Sequence, residues 1–216
     1  ALFTTLNLNL FLEGFYSGPQ TMRSNLYDLG ISTDPSETDT VLVNLWSPDN
    51  LQDPAFSLPA VLHTNGTASV QFPAAVRGHA YYIAVKHRNH LGVMTAAAVT
   101  MSNDATLVDF ITATDAQVYD RPGAVNYNGA EMVTIQGVRA LWGGNTNANT
   151  KVKYQGALTD NTTILTQVLG FAANTAGTYN YNNALGYFLG DVNMDGKVKY
   201  QGTSNDASYI FVNVVG

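Results

Sequence analysis

The hexapeptide Lys-Val-Lys-Tyr-Gln-Gly occurs twice in this chain, at residues 151–156 and again at 197–202. The duplication runs without gaps over residues 145–170 and 191–216, at an offset of 46 residues. Asn147 matches Asn193, Asp160 matches Asp206, Ile164 matches Ile210 and Val168 matches Val214. Self-similarity of this kind constrains the fold more than any local propensity. Each copy is one supersecondary unit, and neither buries its apolar face alone. An Asn-, Tyr-, Gly- and Ala-rich connector, residues 171–188, separates them.

Upstream of the repeats the chain reads as strands. Leu6, Leu8, Leu10 and Leu12 recur at every second position, the pattern of a half-buried strand, and Gly14 to Pro19 break it. Residues 40–46 form a second strand, closed by Ser47-Pro48-Asp49. Asn65-Gly66 between two apolar runs predicts a hairpin. Residues 80–88, 93–101 and 106–112 complete the set. Short strands at near-regular spacing predict a mainly β fold, with a β-sandwich of Ig-like or transthyretin-like kind over residues 1–114. Beyond Thr114 the texture is mixed, with a short helix expected over Glu131 to Trp142. Residues 115–216 are expected to form a second, smaller domain holding both repeats.

Composition excludes several chemistries. The 216 residues include no cysteine, so disulfides, thiolate metal sites and cysteine nucleophiles are out. A net charge of −6 argues against nucleic acid as a partner. No apolar run is long enough to cross a bilayer, and no signal peptide opens the chain, so any secretion signal is expected to have been removed already. Residues 1–114 carry 4 Lys and Arg against 9 Asp and Glu; residues 115–216 carry 6 against 7. The second region is therefore no general acidic patch, and three of its seven acids, Asp191, Asp195 and Asp206, belong to one motif.

That motif is Asp191-Val192-Asn193-Met194-Asp195-Gly196-Lys197-Val198, the first part of an EF-hand-type calcium loop. Ca²⁺ takes oxygen ligands, and positions 1, 3 and 5 (Asp191, Asn193, Asp195) converge as the backbone winds round the ion. Gly196 permits the sharp turn, Lys197 offers its carbonyl, and Val198 is an apolar anchor. A 12-residue loop ends on a bidentate acid. Position 12 is Gly202, so Asp206, four residues later, is expected to close the site after an inserted bulge. In the first repeat Asn145, Asn147 and Asn149 replace these ligands, Thr150 replaces the glycine, Lys151 stands at the carbonyl position, and only Asp160 keeps its charge. This degenerate loop is expected to keep the fold while binding Ca²⁺ weakly or not at all. Alternatively, its Asn cluster hydrogen-bonds internally and mimics the liganded loop.

The loop and its duplication resemble the type I dockerin calcium repeat. They are still more similar to a module of secreted bacterial surface proteins exported through the type IX pathway, with the pattern GDVN-x-DG-x-V-x-Y-x-G-x-x-ND, which residues 190–206 match throughout. Residues 8–16 match the module's L-x-x-x-L-E-G-x-Y pattern and residues 81–91 its YYxxVxHRNHL pattern. The resemblance implies an extracellular, calcium-stabilised, non-catalytic module at the cell surface. The residues after Asp206 depart from it: dockerins continue into a helix, whereas Ala207 to Gly216 are β-branched enough to suggest a strand.

Other candidates carry less. His87 and His90 would point to opposite faces of a strand unless a turn intervened, which favours a structural role. Asp104 and Asp109 could pair as glycosidase acids only at the right separation. Tyr81, Tyr82, Tyr127, Tyr154, Tyr179, Tyr181, Tyr187 and Tyr200 could stack on glycans but suit core and interface positions better. Asn65-Gly66-Thr67 is a glycosylation sequon on the hairpin turn. The sequence thus predicts a calcium-binding structural or adhesive surface protein that associates with itself or with another surface protein. Strand-like termini extend this to a self-assembling filament subunit. The alternative is a carbohydrate-binding or cohesin-binding module of a larger secreted enzyme.

Overall fold

The computed structural model describes residues 2–120 and 131–215. Strand β1 (Phe3–Asn9) buries Leu6 and Leu8 completely, with Leu10 just beyond it, as alternation on a pleated strand requires. β2 (Phe11–Leu12), β3 (Tyr16–Gly18), β4 (Thr21–Met22) and the short helix α1 (Asn25–Asp28) follow. The longer strands are β5 (Glu37–Trp46), β6 (Phe56–His63), β7 (Thr67–Pro73) and β8 (Ala80–His87). β9 (His90–Met94), β10 (Val99–Thr100) and β11 (Ala105–Asp109) complete this part.

An eight-stranded sheet runs in the order β10-β8-β5-β6-β7-β1-β11, with β9 also pairing β8. The sheet folds over at the β6–β7 hairpin. These two strands pair only through Leu62 and Ala68, beside the turn; beyond it β6 runs with β5 and β7 with β1. The two halves enclose one core, in which Val43, Leu45, Ile83 and Val85 meet Leu6, Leu8 and Phe72. The result is a mainly β sandwich with few helices. The predicted Asn65-Gly66 turn is present; Gly66 has φ +83, and a Cβ there would lie 2.7 Å from the Phe11 ring, so only glycine fits.

Three expectations change. The segment Glu131 to Trp142 is a hairpin, β12 (Val133–Ile135) and β13 (Val138–Leu141), not a helix. Gln136 and Gly137 take φ of 50 and 85, the positive pair that a type I′ turn needs, and the β-branched residues before them favour a strand. β13 then pairs with β2 in parallel, so Met132, Ala140 and Leu141 join the sandwich core although they follow residue 114. The C-terminal tail is helix α3 (Asp206–Val215), not a strand. Its buried Ala207, Ile210 and Asn213 recur every third residue, and their packing outweighs β-branched propensity. Finally, β1 lies between β7 and β11. Neither terminal segment therefore offers a free strand edge, and strand donation loses its footing as a route to filaments. Tyr127 lies outside the described residues.

A second core holds Val152, Ile164, Val168, Ala184, Val192, Val198, Ala207 and Ile210. Helix α2 (Asn161–Leu169) and α3 each follow one repeat loop. Val152 and Val198, and Ile164 and Ile210, are repeat mates, so each copy supplies equivalent residues to a shared interior. The backbone repeats as well: positive φ occurs at Ala148 and Met194, Gly156 and Gly202, and Leu158 and Ser204.

Candidate metal centre

The second loop is wound by its own side chains. Asp191 is fully buried; its Oδ1 accepts the Asp195 N–H at 3.1 Å and its Oδ2 the Gly196 N–H at 3.0 Å. Asn193 Oδ1 accepts the same Asp195 N–H at 3.0 Å, so oxygens of loop positions 1 and 3 meet over one amide. Gly196, at φ +84, makes the sharp turn. Asp195 turns toward Lys197 instead, with Oδ1 accepting its N–H at 3.3 Å and Oδ2 lying 3.1 Å from its Nζ. Asp206 is fully buried at the start of α3. Its Oδ1 accepts the N–H of Val192 at 2.7 Å and of Asn193 at 3.1 Å, and its Oδ2 that of Lys199 at 2.8 Å. It ties the loop's entry to its exit and keeps about one of its four acceptor directions.

Among the described residues, no three His, Cys, Asp or Glu side chains gather as a metal cage. The oxygens available are mixed: the Asp191 and Asp206 carboxylates, the Asn193 amide, the Lys197 carbonyl, and Asp195 once it turns from Lys197. Hard oxygen donors of this kind suit Ca²⁺. Among the described residues neither Asp191 nor Asp206 has an ion-pair partner. Burial raises the Asp191 pKa to about 6, with Arg88's charge opposing and Asp195's adding. Burial, and then the charge of Asp191, raise Asp206 to about 8. Two buried carboxylates that repel each other are what a dication would relieve.

The first loop repeats the winding without the acids. Asn149 N–H donates to Asn147 Oδ1 at 3.1 Å and Lys151 N–H to Asn149 Oδ1 at 2.7 Å. Asp160 Oδ1 accepts the Asn147 N–H at 3.3 Å and Oδ2 the Lys153 N–H at 2.7 Å, repeating two of the three backbone bonds of Asp206. Position 1 differs. Asn145 Nδ2 donates to Asn149 O at 2.8 Å, inward across the loop, where Asp191 can only accept. An amide at this position ties the turn together without an ion.

A buried polar joint carries both loops on the sandwich. The two-residue turn Arg88-Asn89 joins β8 to β9, so His87 and His90 are cross-strand partners on one face, with Nδ1 atoms 2.8 Å apart. His87 Nε2 lies 3.2 Å from Asp39 Oδ2, which also accepts Arg88 Nε at 3.2 Å. The Arg88 guanidinium sits 4.1 Å over the Tyr187 ring and donates to the Phe188 carbonyl. Tyr187 donates its hydroxyl to Asp39 Oδ1 at 2.5 Å. Burial would raise the Asp39 pKa, but the His87 hydrogen bond and the His87 and Arg88 charges outweigh it and hold the carboxyl well below its usual range. Burial lowers His87 and, more strongly, His90. Glu13 Oε2 accepts the Gly143 N–H at 2.8 Å and Asn213 Nδ2 at 2.7 Å, and burial raises its pKa to about 7 against those two bonds.

The remaining candidates separate. Asp104 precedes β11 and Asp109 ends it, roughly 16 Å apart by strand rise, too far for a glycosidase pair. Asp109 caps its own turn instead, accepting the Ile111 N–H at 2.8 Å. Tyr81 is buried in the sandwich core, and the rings of Tyr179 and Tyr200 lie 6.2 Å apart. Asn65 Oδ1 accepts the Thr67 N–H and hydroxyl within the hairpin turn. The sequence assigns no role to Glu13 or Asp39, sets Tyr187 among candidate glycan-stacking rings, and places Asn89 in a strand-end string rather than at a loop. Its patterns contained Glu13 and Asn89, but only the folded chain brings those strings to the loops. A charged Asp39 inside a strand that buries its neighbours was the available signal.

No family model and no curated protein sequence matches the chain. Among solved structures it is similar to a chain of a C-terminal interface mutant of the type II Cohesin-X-Dockerin complex from Acetivibrio cellulolyticus. That match has a TM-score of 0.42 and 14% identity, covering 97% of this chain and 94% of that one. The corresponding N-terminal interface mutant matches with a TM-score of 0.41 and 15% identity, over the same shares of both chains.

Proposed function

We propose that the chain is a non-catalytic, extracellular module of the type IX-exported surface-protein kind, in which Ca²⁺ locks a dockerin-like repeat region onto a β-sandwich. Asp191, Asn193, Asp195, the Lys197 carbonyl and Asp206 would hold the ion. The observation that carries this reading is the pair of fully buried carboxylates, Asp191 and Asp206, without an ion-pair partner among the described residues. When bound, the ion supplies positive charge at the loop centre, and its binding free energy becomes folding free energy. Affinities of about 10⁻⁴–10⁻³ M serve extracellular modules, and calcium at ten times Kd stabilises the fold by about 1.4 kcal/mol.

Calorimetric titration should find one site, chelation should lower the melting temperature, and Asp195→Ala should mimic chelation. A melt indifferent to calcium would sink the reading, and two equally tight sites would refute the assignment of a single competent loop.

A second reading, recognition of another surface protein or of a second copy, draws on α3, whose Phe211, Val212, Val214 and Val215 are exposed. Light scattering at rising concentration, compared with Val212→Asp, separates self-association from a monomer awaiting another partner. Glycan binding draws on fewer residues, since Tyr81 is core and Tyr187 is tied to Asp39.

A further inference from the structure

Asn89 is completely buried, in the turn between β8 and β9, and it reaches both repeat loops. Its side-chain Nδ2 donates to Leu189 O at 2.9 Å and to Asp191 O at 2.8 Å. Its main-chain oxygen accepts the Gly144 N–H at 2.9 Å. Gly144 and Gly190 are repeat mates, so one sandwich residue holds the entry of each loop. The hold is unequal. The first loop is touched through Asn89's backbone, whereas the second is gripped by an amide whose two hydrogens are both spent on the chain entering it.

We propose that Asn89 is a positioning residue for the cation loop, fixing residues 189–191 so that the Asp191 carboxylate is set before the ion arrives. The proposal rests on the calcium reading of that loop. One planar NH₂ bonded to two carbonyls two residues apart fixes the Leu189–Gly190 and Asp191–Val192 peptide planes, which bracket the Gly190–Asp191 peptide between them. The amide cannot turn over, because its Oδ1 would then face the Leu189 and Asp191 carbonyl oxygens, acceptors with no hydrogen between them. The neighbouring Arg88 reaches the Phe188 carbonyl and, at 3.5 Å, Met194 Sδ. The turn therefore grips the second loop at residues 188, 189, 191 and 194. Outer contacts of this kind cut the ordering cost of binding, and their loss costs about 10–100-fold in metal affinity.

The test compares Asn89→Ala with Asn174→Ala. Asn174 is an equally interior amide, bonded to Val168 O at 2.9 Å and Thr178 O at 3.0 Å, away from the loop. Both variants should be less stable than wild type. Only Asn89→Ala should bind calcium more weakly, by about 10–100-fold. In calcium-free protein, hydrogen exchange at the amides of Asp195, Gly196 and Lys197 should quicken in Asn89→Ala and not in Asn174→Ala. Should Asn89→Ala not fold, Asn89→Ser, too short to reach both carbonyls, carries the same comparison. Wild-type affinity together with wild-type exchange in the Asn89 variant overturns the proposal, as does an equal affinity loss in Asn174→Ala. If wild type takes up no calcium, the calcium reading fails on its own, and the exchange measurement still decides whether Asn89 sets the loop.

Discussion

Glu13→Gln isolates the electrostatic cost of the joint. Glu13 is 7% exposed, and its pKa stands at about 7 against an ordinary 4.5. The sign follows from where the proton resides. Below pH 4.5 the carboxyl is protonated in both folded and unfolded chains, and its contribution is at its best. Between pH 4.5 and 7 the unfolded chain ionises while the folded one keeps its proton, so stability falls as pH rises; above 7 the loss is complete. The shift of roughly 2.5 units, at about 1.4 kcal/mol each, amounts to about 3 kcal/mol. Glutamine keeps an acceptor oxygen for the Gly143 N–H and Asn213 Nδ2, and it never ionises. Urea unfolding followed by tryptophan fluorescence at pH 4 to 8.5 measures the effect. Stability of Glu13→Gln relative to wild type should rise by about 3 kcal/mol across that range. Titration of Asp39, His87 and His90 is common to both proteins and cancels in the difference. A stability difference that stays constant from pH 4 to 8.5 would refute the reasoning.

Two further outcomes test the repeat and the sandwich. Asp160→Ala removes the acceptor for the Asn147 and Lys153 amides; it should cost about 3 kcal/mol in thermal or urea unfolding and leave calcium affinity unchanged in calorimetry. An affinity loss would mean that the first loop takes part in binding. Leu8→Ala, at a fully buried position of β1, should cost about 2–5 kcal/mol, and a urea midpoint shift worth less than 1 kcal/mol would contradict the core assignment.

The strands and the repeat were legible because each has a local signature. Leucines at every second residue give β1, Asn65-Gly66 gives its turn, and the copied hexapeptide announces two units with a common interior. The misreadings occurred where neighbours far along the chain decide. Val133-Thr134-Ile135 followed by Gln136-Gly137 spells a hairpin, yet what fixes it is pairing with Phe11 and Leu12. The β-branched tail is helical because Ile210 is drawn into the second core and Asn213 onto Glu13. The repeat itself held the missing hint: once residues 161–169 follow the first loop as a helix, the matching residues of the second copy should follow suit. Within the loop, the oxygens of Asp191 and Asn193 meet over the Asp195 amide, and Gly196 takes a positive φ. The charge of Asp206 marks it as a ligand, but its twin Asp160 makes two of its three backbone bonds beside a loop with no other acid. Clamping the turn is therefore the part of its role that owes nothing to an ion.

The bond from Asn213 to Glu13 joins residues 200 positions apart, and Asn89 to Asp191 spans 102. Closing such distances is slow, because the chain gives up its freedom before the contact rewards it. Helix α3 thus works as a keystone. A chain emerging from its amino end can lay down β1, β5 and β8 early, but the carboxyl of Glu13 has no partner at position 213 until 200 further residues have been made. Completion of this joint reports that the chain has been made at least as far as residue 213.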